Sequence, residues 1–238
     1  MAILPIRLYP DPILRREARP VSEITAAIRK LARDMIETLD SAQGVGLAGN
    51  QVGMLRRMVA LHVPDREPLV IINPEISHRE GERRIQEGCL SFPGYFGMVT
   101  RSMRVVARAL STEGEQLDFD ATELLAQALE HEIDHLNGML FIDHVQAHED
   151  LWKAGEEHGV HEHGDIDFEH EAGHGRVLTA KERDEARKPA MGPGESHEDD
   201  GEEEEPFDYT QLAPYRQADF AAFESALREL REKLTAQV

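Results

Sequence analysis

The segment HEIDH at residues 131–135 contains two histidines four positions apart, with a glutamate directly after the first. On a helix, side chains at positions i and i+4 lie on the same face, so His131 and His135 can bind one divalent metal ion. Glu132 would lie beside them and could accept a proton from a metal-bound water molecule. The spacing therefore predicts a catalytic metal site.

A catalytic metal of this kind needs a third protein ligand, and the sequence offers several candidates. One class of metallopeptidases continues the motif to a third histidine, but Phe141 occupies that position here and excludes this arrangement. Another class uses a downstream glutamate, and Glu156 or Glu157 would then complete a zinc peptidase that cleaves internal peptide bonds. The remaining candidate is Cys89, whose thiolate would form a tetrahedral site with two imidazoles and a water.

A glycine-rich segment, GVGLAGNQ at residues 44–51, could form the substrate side of such a site. Its glycines would let a substrate backbone approach closely, and the Gln51 amide could donate a hydrogen bond to an oxyanion. The segment lacks the lysine and the strand–turn–helix context of a phosphate-binding loop. Taken alone, the segment favours an ordinary loop.

Helices and short strands must position these residues. Apolar side chains at helical spacing predict a helix over residues 23–40, capped by Ser22. A second helix, over residues 121–137, would be capped by Asp120 and would end at Gly138. Short alternating segments predict strands, which we expect to be antiparallel, at residues 58–63, 69–73, 104–110 and 115–119, with a hairpin turn at Glu113-Gly114.

The charge divides the 238 residues into two regions with different composition. The chain has a net charge of −20, and residues 1–146 hold 16 basic and 21 acidic residues, whereas the remainder holds 10 and 25. This charge argues against direct binding of nucleic acid, and no apolar run approaches the roughly 20 residues of a membrane span. A single cysteine fits a reducing compartment, so we expect a cytoplasmic protein without membrane contact.

These compositions predict a catalytic domain at residues 1–146, an acidic, His-rich, disordered linker at 147–205 and a C-terminal segment at 206–238. The last segment contains an amphipathic pattern over residues 219–235, which needs a surface to pack against. Five histidines within 17 residues of the linker are either incidental to a solvated acidic segment or part of a loose metal-collecting segment; they are His158, His161, His163, His170 and His174. For the function of the whole chain, a third hypothesis stands beside the catalytic site with Cys89 and the zinc peptidase. It is a non-catalytic metal-binding or interaction protein whose function depends mainly on the acidic extension.

Three segments together resemble the peptide deformylase family. The family motifs GxGLAAxQ, EGCLS and HExDH correspond to GVGLAGNQ at 44–51, EGCLS at 87–91 and HEIDH at 131–135, in the same order. The resemblance covers about residues 1–146. It implies an α+β fold in which antiparallel β-sheets surround a central metal-binding helix with the HExxH motif, here with an acidic C-terminal extension.

The resemblance implies a hydrolase that removes the N-formyl group from the N-terminal formylmethionine of nascent polypeptides and releases formate. It implies one divalent metal bound by Cys89, His131 and His135, typically Fe²⁺ in the family, with Zn²⁺ or Ni²⁺ also able to occupy the site. The partners would be N-formylmethionyl nascent peptides, with a transient encounter at the ribosome.

Further roles follow from the same resemblance. A metal-bound water would attack the formyl carbon with Glu132 as general base and then acid, while the Gln51 side chain and the Leu90 backbone N–H donate to the oxyanion. The residues that pair with the substrate backbone as an added strand would be Gly44, Val45 and Gly46. Glu87 would pair with Arg101 behind the cysteine loop.

Two positions depart from the family pattern. Gly49 stands where alanine is common, and Glu130 stands where glutamine usually precedes the first histidine. We expect the additional carboxylate of Glu130 to shift nearby protonation and hence the pH dependence of activity.

Overall fold

A computed structural model describes residues 2–154, 176–178 and 217–235 of the chain. These ranges contain three α-helices, α1 (Ala26–Ser41), α2 (Glu123–Leu136) and α3 (Gln217–Thr235). They also contain nine strands: β1 (Gly46–Ala48), β2 (Met58–Leu61), β3 (Leu69–Glu80), β4 (Arg83–Cys89), β5 (Phe92–Arg101), β6 (Arg104–Leu110), β7 (Gln116–Thr122), β8 (Leu151–Lys153) and β9 (Arg176–Leu178). Within the same ranges, no helix combines the length and apolar character that a bilayer crossing requires.

Most of the predicted acidic linker lies outside the described residues, including the five clustered histidines at 158–174 and both Glu156 and Glu157. For the residues outside the described ranges, the disorder and the metal-collecting role therefore stay predictions. The predicted disorder is wrong for the described parts of the linker, because residues 148–150 form a 3₁₀ turn and residues 151–153 and 176–178 form paired strands.

The strands form two antiparallel sheets, which confirms the predicted sheet type. The larger has six strands in the order β1-β2-β3-β6-β7-β9, and the smaller has three in the order β4-β5-β8. The predicted turn joins β6 to β7, where Gly114 adopts a left-handed conformation with φ of 90° and the Ser111 N–H donates to the Glu115 carbonyl. The sequence did not predict the small sheet, whose strand β4 ends at Cys89.

The helix α1 covers one face of the large sheet. Its buried residues Met35 and Leu39 belong to the same apolar cluster as Met58 on β2 and Ile72 on β3. The predicted cap at Ser22 is wrong: the helix begins after Thr25, whose side chain accepts a hydrogen bond from the Ile28 N–H.

The helix α2 packs against the other face of the large sheet. Leu125 and Leu129 are buried there with Val105 and Phe119. The predicted start at residue 121 is wrong because β7 continues to Thr122, which precedes the helix. The predicted cap, Asp120, instead binds the guanidinium of Arg104 on β6, at 2.6 and 2.8 Å.

Two parts of the C-terminal extension contact the rest of the molecule. β9 pairs with β7 at the edge of the large sheet, and α3 buries Phe223 and Leu227 in a third apolar cluster. The Phe223 ring lies edge-on to Phe92 and Tyr95 of β5, with centroids 5.8 and 5.9 Å away. The predicted amphipathic helix therefore packs beside the small sheet, one strand away from Cys89.

Candidate active site

Three potential metal ligands meet between the small sheet and α2. Cys89 ends β4, whereas His131 and His135 lie one turn apart on α2, and their ligand atoms are all within 4.8 Å of one another. The Sγ of Cys89 is 3.2 Å from Nε2 of His135. Bonds of about 2.0–2.3 Å to one ion place donors about 3–4 Å apart, so this set fits a shared divalent cation after a small contraction. A thiolate with two imidazoles suits Fe²⁺, Zn²⁺ and Ni²⁺ alike.

The orientation of His131 is fixed from behind by Glu87. Nδ1 of His131 lies 2.9 Å from Oε2 of Glu87, which leaves Nε2 directed toward the ligand cluster. Arg101 binds the same carboxylate through both arms of its guanidinium, at 2.8 and 3.0 Å. Burial would raise the pKa of Glu87, but His131 and Arg101 lower it to about 2, so the carboxylate is ionised near neutral pH.

Arg101 also connects this carboxylate back to α2. Its Nη1 is 2.6 Å from Oδ2 of Asp134, and the same oxygen is 2.9 Å from Nε2 of His144. The pairing of Arg101 with Glu87 was expected from the resemblance. The links to His131, Asp134 and His144 were not, because they join residues that no local motif relates.

Burial and neighbouring charge act differently on the two histidines. Burial and the charge of His131 hold the pKa of His135 well below its usual value, so this imidazole is neutral and able to act as a ligand. Burial also opposes protonation of His131, but Glu87 and Cys89 raise its pKa. A metal ion would replace the proton on His131.

Glu132 is buried against the glycine segment. A Cβ at Gly46 would lie only 2.3 Å from Oε1 of Glu132, so glycine is needed for the carboxylate to occupy this position. Burial raises the pKa of Glu132 to about 7, although the charge of His131 opposes this. Its Oε2 is buried and has no hydrogen-bond partner among the described residues. This side chain can therefore exchange a proton near neutral pH.

The Gln51 amide faces the cysteine. Gln51 lies in the short 3₁₀ helix Gly49–Val52, and its side-chain oxygen Oε1 accepts a hydrogen bond from the Ala48 N–H at 2.7 Å. Its Nε2 lies 3.2 Å from Oγ of Ser91 and 3.6 Å from Sγ of Cys89. Fixing the oxygen in this way turns the amide donor toward the ligand cluster. Sequence reasoning had not identified Ser91.

The glycine segment and the cysteine loop are in direct contact. A Cβ at Gly44 would lie 2.8 Å from Cδ1 of Leu90, the residue after Cys89. The Val45 carbonyl accepts from the His62 N–H at 2.8 Å, and β2 pairs along the same side of the segment. One edge of β1 is therefore hydrogen-bonded to β2, and residues 44–46 are half-buried.

The two departures from the family pattern have structural consequences. A Cβ at Gly49 would lie 2.4 Å from the Arg56 carbonyl oxygen, so alanine would require the backbone to move. The Glu130 carboxylate accepts from the Ser102 N–H at 2.8 Å and from the Ser102 hydroxyl at 3.0 Å, and it lies 2.8 Å from Nε of Arg79. It is therefore engaged by the β5–β6 turn rather than by the ligand cluster.

Comparisons with known proteins show which family this chain resembles. A family model described as polypeptide deformylase matches residues 3–150. The chain is 47 % identical over 156 residues to a peptide deformylase of Dehalococcoides mccartyi, covering 65 % of this chain and 93 % of the relative. It is 50 % identical over 148 residues to one of Alkalilimnicola ehrlichii, covering 61 % and 83 %. The crystal structure of a peptide deformylase from Synechococcus elongatus in complex with actinonin has a TM-score of 0.59 and 37 % identity, covering 61 % of this chain and 82 % of the other.

Proposed function

The chain belongs to the polypeptide deformylase family, an enzyme family that removes N-formyl groups from nascent peptides, and we propose the residues that perform this reaction here. The substrate is the N-terminal formylmethionine of a nascent polypeptide, and the products are formate and a free amino terminus. One divalent metal ion is held by Cys89, His131 and His135. We take Fe²⁺ as this ion, with Zn²⁺ or Ni²⁺ as replacements that the same ligands accommodate.

A metal ion held by these residues would act as a Lewis acid and lower the pKa of a bound water molecule. Glu132 would accept a proton from this water while the water oxygen attacks the formyl carbon, and would then deliver the proton to the departing amine. A pKa of about 7 suits both roles, because the carboxyl group can take up and release a proton near neutral pH.

The oxyanion that forms on the formyl oxygen is bound by two donors. These are the Nε2 amide of Gln51 and the backbone N–H of Leu90, the residue that follows Cys89. The Gln51 amide is already oriented by its bond from Ala48, so it does not reorganise during the reaction. A preorganised donor of this kind contributes on the order of 3 kcal/mol to lowering the barrier.

The substrate backbone pairs with Gly44, Val45 and Gly46 as an added strand. Hydrogen bonds to backbone atoms do not depend on the substrate side chains, so this mode accepts many sequences after the first residue. Because nascent chains emerge at the ribosome, the proposal includes a transient encounter there and a cytoplasmic location.

The observation that carries the proposal is the grouping of one thiol and two imidazoles, whose ligand atoms lie within 4.8 Å of one another, together with the buried carboxyl of the adjacent Glu132 against Gly46. The test is formate release from a formyl-methionyl peptide by the full-length chain loaded with Fe²⁺ or Ni²⁺ under anaerobic conditions. An acetyl-methionyl peptide of the same sequence is the matched control, and it should remain intact. Cleavage of an internal peptide bond without formate release would contradict the proposal and support a peptidase.

A further inference from the structure

Asn50 lies directly before Gln51 and is completely buried in the 3₁₀ helix Gly49–Val52. Its Nδ2 donates to two backbone carbonyl oxygens from separate parts of the chain. One belongs to Arg16 in the N-terminal segment, at 3.1 Å, and the other belongs to His135 at the end of α2. A single amide group thus joins the loop of Gln51 to the backbone of a proposed metal ligand.

The bond to His135 acts as a cap for the metal-binding helix. The last carbonyl groups of an α-helix have no partner within the helix, and other groups must satisfy them. The His135 carbonyl accepts from the Gly138 N–H at 3.0 Å as well as from Asn50. Asn50 therefore holds the final turn of α2 from outside, at the residue whose imidazole faces Cys89.

The other atom of the amide supports a specific role for this residue. Oδ1 of Asn50 is buried without a hydrogen-bond partner among the described residues, which destabilises the folded state. The assignment of the two amide atoms is not arbitrary, because reversing them would direct Oδ1 at two carbonyl oxygens. An apolar side chain would avoid the unpaired acceptor but would lose both donated bonds.

We propose that Asn50 is a positioning residue that fixes the His135 backbone relative to the Gln51 amide. A shift of this backbone would move Nε2 of His135 away from its present 3.2 Å separation from the Cys89 sulfur. It would also change the distance between the ligand cluster and the oxyanion donor. The catalytic part of this inference rests on the proposed function, whereas the effect on metal geometry does not.

The test compares Asn50→Ala and Asn50→Leu with the unaltered full-length protein after loading with Co²⁺. Both variants should shift the visible Co²⁺ absorption bands and release the metal about tenfold faster, the size of effect seen when outer partners of a metal ligand are removed. The kcat for formate release should fall while KM changes little, because the substrate strand at Gly44–Gly46 keeps its contacts. Asn50→Thr, whose hydroxyl can donate one hydrogen bond, should recover part of the loss.

Asn73→Ala is the matched control. Asn73 also pairs its amide with the N-terminal segment, through two bonds of 2.8 Å with the Val21 backbone, and neither bond involves a residue of the site. This variant should lower the melting temperature and leave the Co²⁺ spectrum, metal release and kcat unchanged. In the metal-free protein, hydrogen exchange at the Gly138 N–H should accelerate in the Asn50 variants alone.

Unchanged spectra, release rates and Gly138 exchange in the Asn50 variants would overturn the inference, as would equal changes in Asn73→Ala. A wild-type protein that binds Co²⁺ but releases no formate would instead contradict the proposed function.

Discussion

The helix α2 presents two stripes of polar side chains, and they differ in how completely the protein satisfies them. His131, Glu132 and His135 face the cysteine and glycine loops, where Oε2 of Glu132 is buried without a partner among the described residues. Glu130 and Asp134, on the neighbouring stripe, are each bound by charged groups and additional donors.

This difference shows how one helix can be both reactive and rigid. Groups intended for substrate or metal must keep unused bonding capacity, which reduces stability. The neighbouring stripe is held by Arg101, Ser102, Arg79 and His144, so the helix does not relax to satisfy the reactive stripe. Substitutions on the two stripes should therefore affect different measured quantities.

Glu132→Gln should have the largest effect on turnover. The amide keeps the size of the side chain but cannot accept the proton of the attacking water, so kcat should fall by about 10²–10⁴-fold. The measurement is formate release per bound metal ion. The metal content itself should stay at the wild-type level. Glu130→Gln, a buried carboxylate on the other stripe, is the matched control. Near-normal turnover with a full metal site would remove Glu132 from the mechanism.

Cys89→Ser should affect the metal itself. A hydroxyl replaces a soft thiolate, so affinity for Fe²⁺, Zn²⁺ or Ni²⁺ should fall by more than about 100-fold, beyond the effect of losing an outer partner. Competition with a chelator gives the affinity. Unchanged affinity and stoichiometry would place the third ligand elsewhere and favour the peptidase hypothesis.

Arg101→Lys should act more weakly and through position. Lysine keeps the charge beside Glu87 but cannot bind both of its oxygens and Asp134 together, so His131 loses part of its orientation. We expect a 10- to 100-fold loss of metal affinity. Arg104→Lys is the control, because Arg104 grips Asp120 in the same two-pronged way but its side chain is 41 % exposed, against 4 % for Arg101. Equal effects of the two substitutions would mean that Arg101 supports only general stability.

The reactive stripe could be predicted from the sequence because its information is local. His131 and His135 are one helical turn apart, and Glu132 is adjacent, so helix geometry alone places them together. Cys89 could be reached because the sequence contains a single thiol in a motif that resembles a known family. The strand β5 was missed because Pro93, Gly94 and Gly97 weaken the pattern that identifies a strand.

The contacts of the neighbouring stripe, formed by Glu130 and Asp134, could not be predicted in the same way. Contacts such as Arg101 with Asp134 and Ser102 with Glu130 join residues 33 and 28 positions apart. Nothing in the local pattern of either residue specifies its partner, since carboxylates and amides on short elements have many alternative partners. The partners are set by the way α2 packs between the two sheets.

Glu130→Gln should have the smallest effect and is the sharpest test of the difference between the stripes. The sequence suggested that this carboxylate shifts protonation at the site, but its oxygens bind Ser102 and Arg79 in the structure. Glutamine keeps an oxygen for the Ser102 N–H, but its amide nitrogen replaces the oxygen that accepts from Arg79 and from the Ser102 hydroxyl. The hydroxyl can rotate to accept from this nitrogen, and the Arg79 side chain, which is 53 % exposed, can bind water instead. We expect the free energy of unfolding to fall by about 1 kcal/mol or less and the pH–rate curve to superimpose on that of the wild type. Glu123→Gln, which removes a charge from the start of the same helix, controls for net charge. A pH–rate curve displaced in Glu130→Gln but not in Glu123→Gln would show that the second stripe also tunes the chemistry, and that its carboxylates do more than hold the helix.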